Sequence, residues 1–294
     1  MRSRDIDMIY KHTAVELQGC TETSADGRST ALPNCVICGG ETARMFSKQF
    51  DQTNVHYCRC SHCGHLTATN VNTNPNYASG RYFVEIDTGW EMRNKRMLEF
   101  IEIISRLPAV AISKRSAILD VGCGSGRLVQ DLNRAGFDAY GFEPYPETTV
   151  SLRQVFVDLE EARDAMAGRV GLITCIEVLE HLREPDEMLR MISGLLRPSG
   201  YLLVSTDLYR DKVHTEGWYY LNPAAGHVSI FSEKSFKTLF ARHGFLPILR
   251  INGAVWLLRK AAFPDRTLIE RGYFSLSQLR VRLREKASLI GGGC

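Results

Sequence analysis

Short apolar runs and amphipathic segments alternate along the chain from residue 116 onward. The runs AILDV, DAYGF, QVFV, GLITC and YLLVST predict five strands, and helical patterns lie between them. Strands that alternate with helices are typical of a parallel sheet built from βαβ units. Before the first strand, residues 92–107 carry apolar residues at helical spacing. The pattern therefore predicts an α/β domain that opens with a helix.

Two helix signals and a hairpin signal complete this domain. The segment PDEMLRMISGLLRPSG begins with Pro185 and two acidic residues, and Gly200 is expected to close the helix. The segment SEKSFKTLFARHGF is amphipathic, with Ser232 as its expected N-cap. The runs LPILRI and AVWLLRKA are joined by a short Asn-Gly turn, which favours an antiparallel pair. Together with the five earlier strands, this pair predicts a mixed seven-stranded sheet with helices on both faces.

The rest of the chain divides into segments of different composition. Residues 1–33 are polar and read as a flexible leader without the apolar region of a secretory signal, so we expect a cytoplasmic protein. Residues 34–66 contain a cysteine cluster and are predicted to form a small zinc ribbon, and residues 67–90 form a polar linker or lid. The α/β domain spans residues 91–262. Residues 263–294 form a basic helical extension, for which weak contact with a membrane surface is an alternative to packing on the protein.

Composition argues against two classes of protein. Hydrophobic residues make up 44% of the chain, but no apolar run approaches the roughly 20 residues that span a bilayer. The net charge of +3 is too small for the strong basic field of a dedicated nucleic-acid binder, so a nucleic-acid partner is not indicated. A small-molecule partner is favoured, and composition does not specify an oligomeric state.

Two Cys-x-x-Cys pairs predict a metal site in the N-terminal segment. Cys35 and Cys38 form the first pair, and Cys60 and Cys63 form the second, each followed by glycine. Four thiolates in this arrangement give closed tetrahedral zinc coordination, and such a site is structural because it has no open position. Other candidate ligands lie close by, namely His56, Cys58, His62 and His65. Only Cys60, and not Cys58, completes the second pair.

The strongest motif of the α/β domain is a glycine-rich loop. It reads Asp120-Val-Gly122-Cys-Gly124-Ser-Gly126 and lies between a predicted strand and a predicted helix. Glycines allow a tight turn and close approach of a ligand, and the helix N-terminus offers free N–H groups. The next predicted strand ends in Glu143, where an acidic residue can hold ribose hydroxyls. Loop and acid together predict a site for a nucleotide-like cofactor.

The segments DVGCGSG and FEP closely resemble the first two motifs of class I methyltransferases that use S-adenosylmethionine (SAM). The resemblance extends over residues 116–260 and implies a Rossmann-like sheet. It implies that Gly122, Gly124 and Gly126 surround the methionine part of SAM, that Asp120 lies beneath it and that Glu143 binds the ribose. A dinucleotide dehydrogenase is the alternative for the loop alone, but the EVLEH segment and the terminal strand pair argue against it.

The same resemblance extends to the adenine side of the cofactor. In the family the adenine contact follows the third strand, which here implies Asp158 and Leu159. The chain between Glu143 and Gly171 is short, however, and Asp158 is also a candidate helix cap. Glu177 follows the fourth strand, and in many family members this segment supports SAM.

Candidate catalytic residues cluster after the fourth and fifth strands. Glu177, Glu180 and His181 share a face if the EVLEH segment is helical, and they border the cofactor site because ligands bind at the carboxyl ends of parallel strands. His227 lies in the long connection after the fifth strand. Either histidine is a candidate general base. The Glu-x-x-Glu-His pattern with a distant histidine also resembles the magnesium site of some O-methyltransferases, which makes magnesium an additional candidate cofactor.

These observations predict a SAM-dependent methyltransferase with a structural zinc site. A zinc ribbon before such a domain resembles sugar C-methyltransferases and certain ribosomal-RNA methyltransferases, and the shortage of Lys and Arg in the ribbon disfavours the RNA group. We expect methyl transfer to oxygen or carbon of a small, sugar-like acceptor in a biosynthetic pathway, with a histidine base. The alternatives are an RNA methyltransferase, a metal-assisted O-methyltransferase and a non-catalytic SAM-binding scaffold. Candidate acceptor-pocket residues are Tyr77, Arg81, Tyr82, Trp218, Tyr219 and Tyr220.

Overall fold

The structure is a computed structural model that describes residues 32–50, 53–71, 89–108, 110, 112–144, 154–251 and 253–261. Most of the predicted leader, most of the linker or lid, and the C-terminal extension lie outside these residues, as do Tyr77, Arg81 and Tyr82. Within the described part, the strands form one sheet of four and one of seven.

The elements of the smaller sheet come first along the chain, and its fourth strand follows much later. The described strands of this sheet are β1 (Thr42–Phe50), β2 (Thr53–Cys60), β3 (Leu66–Thr69) and β9 (Ser229–Ile230). The larger unit consists of α1 (Trp90–Ser105), β4 (Ala117–Val121), α2 (Arg127–Arg134), β5 (Asp138–Phe142), β6 (Val155–Phe156), α3 (Leu159–Met166), β7 (Val170–Ile176), α4 (Pro185–Leu195), β8 (Leu196–Ser205), α5 (Glu233–Arg242), β10 (Phe245–Arg250) and β11 (Val255–Lys260). Two short 3₁₀ turns, Leu179–His181 and Pro223–Ala225, lie in the connections. Among the described helices, none has the length and apolar character needed to cross a membrane.

The seven-stranded sheet has the order β10-β11-β8-β7-β4-β5-β6. The five strands from β8 to β6 are parallel to one another. Strand β11 runs antiparallel to both of its neighbours, β8 and the edge strand β10. Ile118 and Leu119 on β4 are both fully buried, but they belong to separate core clusters on opposite faces. Helices α1 and α2 pack on one face, and α3, α4 and α5 pack on the other. The predicted fold class, a mixed seven-stranded α/β sheet, is confirmed.

The end of α4 differs from the prediction that Gly200 closes this helix. The helix ends at Leu195, and β8 begins at once with Leu196. Val170 pairs with Leu196 while Leu172 pairs with Tyr201, so the residues between form a bulge in β8. A Cβ at Gly200 would lie 3.0 Å from a backbone oxygen inside this bulge. Gly200 therefore allows two parts of the backbone to come close together within the bulge, and it does not end the helix.

The smaller sheet joins the N-terminal segment to the α/β domain. Strands β1, β2 and β3 form an antiparallel meander, and β3 also pairs with β9 through Leu66↔Ile230 and Thr67↔Ser229. The predicted polar linker thus begins as strand up to Thr69, because pairing on both sides satisfies its backbone groups. Strand β9 belongs to the connection between β8 and α5, which is the connection that also carries His227.

Candidate functional site

The glycine-rich loop turns sharply from β4 into α2. Gly122, Gly124 and Gly126 have φ values of 72°, 51° and 70°, which side chains with a Cβ rarely adopt. A Cβ at Gly122 would lie only 2.6 Å from Val178 Cγ2. The sequence needs glycine here for two separate reasons, the backbone angle and the contact with the segment after β7.

Glu143 ties this loop to the end of β5. The residue is 8% exposed, and its Oε2 accepts a hydrogen bond from the Gly124 N–H at 2.9 Å. Its own N–H donates to the Phe156 carbonyl on β6, which fixes the backbone at the carboxyl end of both strands. The glycine loop and the acidic residue predicted to work with it form one hydrogen-bonded unit.

Asp120 lies beneath the loop with little contact to solvent. It is 5% exposed, and the Thr174 hydroxyl donates to its Oδ1 at 2.6 Å. The pKa of Asp120 is raised to about 7, mainly by burial; the Thr174 hydrogen bond opposes the shift, and the charge of nearby Glu143 contributes to it. The sequence contained no signal for Thr174, because its role arises from register: Asp120 and Thr174 pair across β4 and β7.

Asp158 and Leu159 begin α3. The Asp158 side chain accepts hydrogen bonds from the N–H groups of Glu160 and Glu161 at 2.8 and 3.0 Å, which is an N-cap. Leu159 is buried in the core cluster beneath the sheet. The helix cap, one of the two roles considered for Asp158, is therefore occupied in this structure.

The residues after β7 form the second part of the site. Glu177 has a φ of 53°, which is unusual for a residue with a side chain, and only Leu179–His181 form a 3₁₀ turn. Glu177 therefore does not share a helical face with Glu180, and a different contact joins them. The Tyr220 hydroxyl lies 2.6 Å from Glu180 Oε1 and 3.1 Å from Glu177 Oε2.

Glu180 is a fully buried acid beside another acid. Its Oε2 has no hydrogen-bond partner among the described residues. Burial raises the pKa of Glu180 well above its usual value, and the charge of Glu177 adds to that shift. Glu177, in contrast, accepts at Oε1 from the Ser205 hydroxyl at 2.5 Å.

The two candidate histidines face each other next to these acids. The rings of His181 and His227 are 4.9 Å apart between centroids, at 74°. Burial lowers the pKa of His181 well below its usual value, and His227 lowers it further. The Nδ1 of His227 lies 2.8 Å from the Tyr220 carbonyl oxygen, which can only accept, so Nδ1 carries the proton. This bond assigns the lone pair of a neutral His227 to Nε2.

Ligand atoms of Glu180, His181 and His227 all lie within 4.8 Å of one another. One carboxylate oxygen and two imidazole nitrogens are a donor set that can bind a divalent metal. Glu177 is not part of this group, since its oxygens contact Ser205 and Tyr220. The structure therefore gathers three of the four residues considered for a metal, and these three include both candidate bases, His181 and His227.

The four cysteines of the paired motifs also converge. The Sγ atoms of Cys35 and Cys63 are 3.6 Å apart, those of Cys38 and Cys60 are 3.5 Å apart, and all four lie within 4.8 Å of one another. Zn–S bonds of about 2.3 Å in a tetrahedron place sulfurs about 3.8 Å apart, so the group has suitable dimensions for zinc. The hydrogen bond between Cys35 and Cys63 lowers the pKa of Cys35 to about 5 and raises the pKa of Cys63 above its usual value. Cys58 is buried but lies outside this group.

Two of the other candidate ligands have different partners. His56 Nδ1 lies 2.7 Å from the Ser47 hydroxyl. His65 is 1% exposed, and its Nε2 lies 3.3 Å from the Ser229 hydroxyl on β9. Burial lowers the pKa of His65 to about 3, so its ring is neutral. His65 therefore contacts the connection that carries His227.

The aromatic residues considered for an acceptor pocket have different surroundings. Trp218 stacks on His214 at 3.9 Å and 16° between ring planes, and both line an open pocket with Asp207, Arg210 and Arg250. Tyr219 is 71% exposed, and its hydroxyl donates to Asp207 at the mouth of this pocket. Tyr220 is buried instead and contacts the two acids. Of the three candidate aromatic residues that the structure describes, Trp218 and Tyr219 line this pocket and Tyr220 does not.

Comparisons with known proteins are consistent with one another over the α/β domain. A sequence profile described as a methyltransferase domain matches residues 91–248, more than half of the chain. The chain is similar to the ubiquinone biosynthesis O-methyltransferases of Bordetella avium and Pectobacterium atrosepticum, with 32% and 33% identity over 100 residues. Each alignment covers 30% of this chain and 42% of the relative, so the chain spans less than half the length of these relatives. Among solved structures, magnesium protoporphyrin IX methyltransferase from Synechocystis PCC 6803 with bound SAH is similar over 62% of this chain and 91% of that one, at 18% identity and a TM-score of 0.42.

Proposed function

The chain belongs to the methyltransferase-domain family as a class I enzyme that uses SAM, and from that premise we propose that it methylates a small biosynthetic acceptor on oxygen or carbon. In this proposal His227 removes the acceptor proton. The activity of these relatives, O-methylation in ubiquinone biosynthesis, supports a small acceptor with a hydroxyl group. The sugar-like acceptor expected from the sequence falls within the same class.

The cofactor would occupy the cradle formed by the glycine loop and Glu143. The positive φ angles of the loop glycines support close approach of the methionine part to the backbone. Glu143 is the acid proposed to receive ribose hydroxyls, and Asp120 lies beneath the loop. The bound cofactor supplies an activated methyl group. The chain itself binds, orients and shields the reactants, which is where most of the catalysis by such an enzyme originates.

The observation that carries the base assignment is the hydrogen bond from His227 Nδ1 to the Tyr220 carbonyl. It leaves Nε2 as the nitrogen that can take a proton, and an imidazole is suited to that role near neutral pH. The position also supports the role. Val178 contacts Gly122 of the cofactor loop, and the next residues form the turn that carries His181, whose ring faces His227.

The test is transfer of labelled methyl groups from SAM to separated metabolite, nucleotide-sugar and RNA fractions. We expect transfer to a metabolite or nucleotide-sugar fraction. His227→Ala should reduce turnover about 100-fold or more, the usual size of a general-base contribution, while SAM affinity stays within about two-fold. The control is His62→Ala, which removes an exposed histidine outside the site and should change neither quantity. Transfer only to RNA would refute the small acceptor, SAM binding with no transfer would favour a scaffold, and full turnover by His227→Ala would refute the base.

A second mechanism is supported by the grouping of Glu180, His181 and His227. These residues would hold a divalent metal, which would polarise an acceptor hydroxyl and favour its ionisation. A donor set of one oxygen and two imidazole nitrogens suits manganese, iron or zinc better than magnesium, which prefers oxygen ligands. A chelator that spares the ribbon zinc should then abolish turnover, and Glu180→Gln should reproduce that loss. Turnover that is insensitive to the chelator would leave the histidine base alone.

We also propose that Cys35, Cys38, Cys60 and Cys63 hold one structural zinc ion. The mutual Sγ distances and the turns at Gly39 and Gly64, with φ values of 71° and 74°, support this assignment. A closed site with four thiolates has no position for substrate. Its contribution is stability, which a module of this size cannot obtain from core burial alone.

A further inference from the structure

Tyr220 contacts three of the residues predicted from the sequence as candidate catalytic residues, namely Glu177, Glu180 and His227. Its side chain is 2% exposed, and its hydroxyl lies 2.6 Å from Glu180 and 3.1 Å from Glu177. A third contact of 3.0 Å joins the hydroxyl to the buried Thr206 side chain. The backbone carbonyl of the same residue accepts the hydrogen bond from His227. One residue thus uses its side chain for two acids and its main chain for the candidate base.

The number of protons in this group constrains how it is bonded. The Tyr220 hydroxyl has one proton, so it donates to one carboxyl group at a time. A hydroxyl oxygen can accept as well as donate, and the contacts of 2.6 Å with Glu180, 3.0 Å with Thr206 and 3.1 Å with Glu177 all converge on the single Tyr220 oxygen. The two acids are therefore held through the same atom.

These contacts of Tyr220 with Glu177 and Glu180 have a mechanical consequence. Glu177 has a left-handed backbone conformation and is held from two sides, by Ser205 and by Tyr220. A carboxyl oxygen of Glu180 lies within 4.8 Å of a ring nitrogen of His181 and of His227, and Glu180 Oε2 has no hydrogen-bond partner among the described residues. Loss of the Tyr220 hydroxyl would leave both acids without a shared partner, although the carbonyl that binds His227 would remain.

We infer that Tyr220 is a positioning residue, whose hydroxyl joins Glu177 and Glu180 into one rigid unit against the catalytic histidines and whose carbonyl fixes the tautomer of His227. The inference rests on the proposed function, in which His227 takes the acceptor proton. Tyr220 itself neither accepts that proton nor contacts the methyl group. It acts by holding the groups that do the chemistry within the narrow range of positions that methyl transfer requires.

The experiment compares Tyr220→Phe with Tyr57→Phe in the labelled-methyl assay with the separated fractions described above. Tyr57 is a suitable control because it is also fully buried, its hydroxyl has no hydrogen-bond partner among the described residues, and it lies in the small sheet. We expect Tyr220→Phe to lower kcat by about 10-fold to about 100-fold, with SAM affinity unchanged within about two-fold. Tyr57→Phe should leave both unchanged. Equal thermal unfolding midpoints of the two variants would show that the loss of kcat does not arise from unfolding.

A double-mutant cycle separates positioning from a general structural effect. If Tyr220 and Glu180 work as a unit, Tyr220→Phe combined with Glu180→Gln should lose no more kcat than the worse single variant. Independent effects would multiply, and that result would overturn the inference, as would wild-type kcat in Tyr220→Phe. The failure of the proposed function gives a different pattern. In that case the wild-type protein transfers no methyl group, or His227→Ala retains full turnover.

Discussion

Replacement of Gly122 by alanine should damage the fold and the cofactor site together, for two reasons that can be measured separately. At a φ of 72°, an added side chain introduces backbone strain of roughly 1–2 kcal/mol. The new Cβ would also lie 2.6 Å from Val178 Cγ2, well inside the normal contact distance. Relief of such overlap costs about 1–3 kcal/mol in a packed interior. We therefore expect Gly122→Ala to lower the free energy of unfolding by about 2–5 kcal/mol.

Gly168 offers a matched control for the first of these two costs. Its φ is 67°, but an added Cβ would meet no atom within 4 Å. Gly168→Ala should therefore lose only the strain of roughly 1–2 kcal/mol. The difference between the two variants measures the overlap with Val178. The same Gly122→Ala change should cost less in a Val178→Ala background, because the crowding methyl groups are gone.

Urea unfolding of the ligand-free protein gives these stabilities, and calorimetric titration with S-adenosylhomocysteine gives the cofactor-site affinity. To avoid Val178, the loop in Gly122→Ala must move toward the space of the ligand. We expect at least about a 10-fold loss of affinity, equivalent to about 1.4 kcal/mol, and no loss in Gly168→Ala. If Gly122→Ala matched Gly168→Ala in both stability and affinity, the assignment of the cofactor to this loop would be refuted.

Two further predictions concern the metal centre and the buried acid. One zinc ion per chain is expected by metal analysis, with loss of zinc in Cys38→Ser and Cys63→Ser and retention in Cys58→Ser, because Cys58 lies outside the sulfur group. A chain that keeps its zinc in the first two variants would contradict the site. For Asp120, burial raises the pKa to about 7, so its stabilising effect is present below about pH 4 and is lost as the pH rises through about 7. Asp120→Asn cannot ionise, and its stability relative to the parent in urea should therefore increase from about pH 4 to about pH 8; the reverse trend would contradict the shift.

The sheet could be predicted from the sequence because its signals are local. Continuous apolar runs mark strands that are covered on both faces, and the strand AILDV matches β4 residue for residue. Ser232 caps α5 in a capping box with Ser235, as a local rule predicts. The prediction that Gly200 ends the helix is wrong because a glycine after a helix and a glycine in a strand bulge have the same local appearance. Only the pairing of β7 with β8 distinguishes them.

The candidate site was predictable only in part, since several of its contacts join residues far apart in sequence. The glycine loop and Glu143 are close enough along the chain to be recognised together. The contacts of Tyr220 with Glu177 and Glu180 join residues that are 43 and 40 positions apart, and such separations leave no spacing pattern. The left-handed backbone of Glu177 is equally invisible in the sequence, because nothing about a glutamate indicates a positive φ.

The pairing of β3 with β9 gives the ribbon a direct mechanical connection to the candidate base. Val228, the residue after His227, donates from its N–H to the Glu180 carbonyl at 2.8 Å, and its own carbonyl accepts from the Ala68 N–H at 2.8 Å. The backbone beside His227 is therefore held on one side by the Leu179–His181 turn and on the other by strand β3 of the four-stranded sheet. Buried backbone groups that lose such partners carry a substantial free-energy cost, so this arrangement persists only while β3 stays in place. The proposed zinc ion would hold Cys60, the last residue of β2, and Cys63, which lies shortly before β3. The described contacts of the cofactor loop include Val178 and Glu143 instead. A ribbon without zinc should consequently impair turnover more than it impairs cofactor binding.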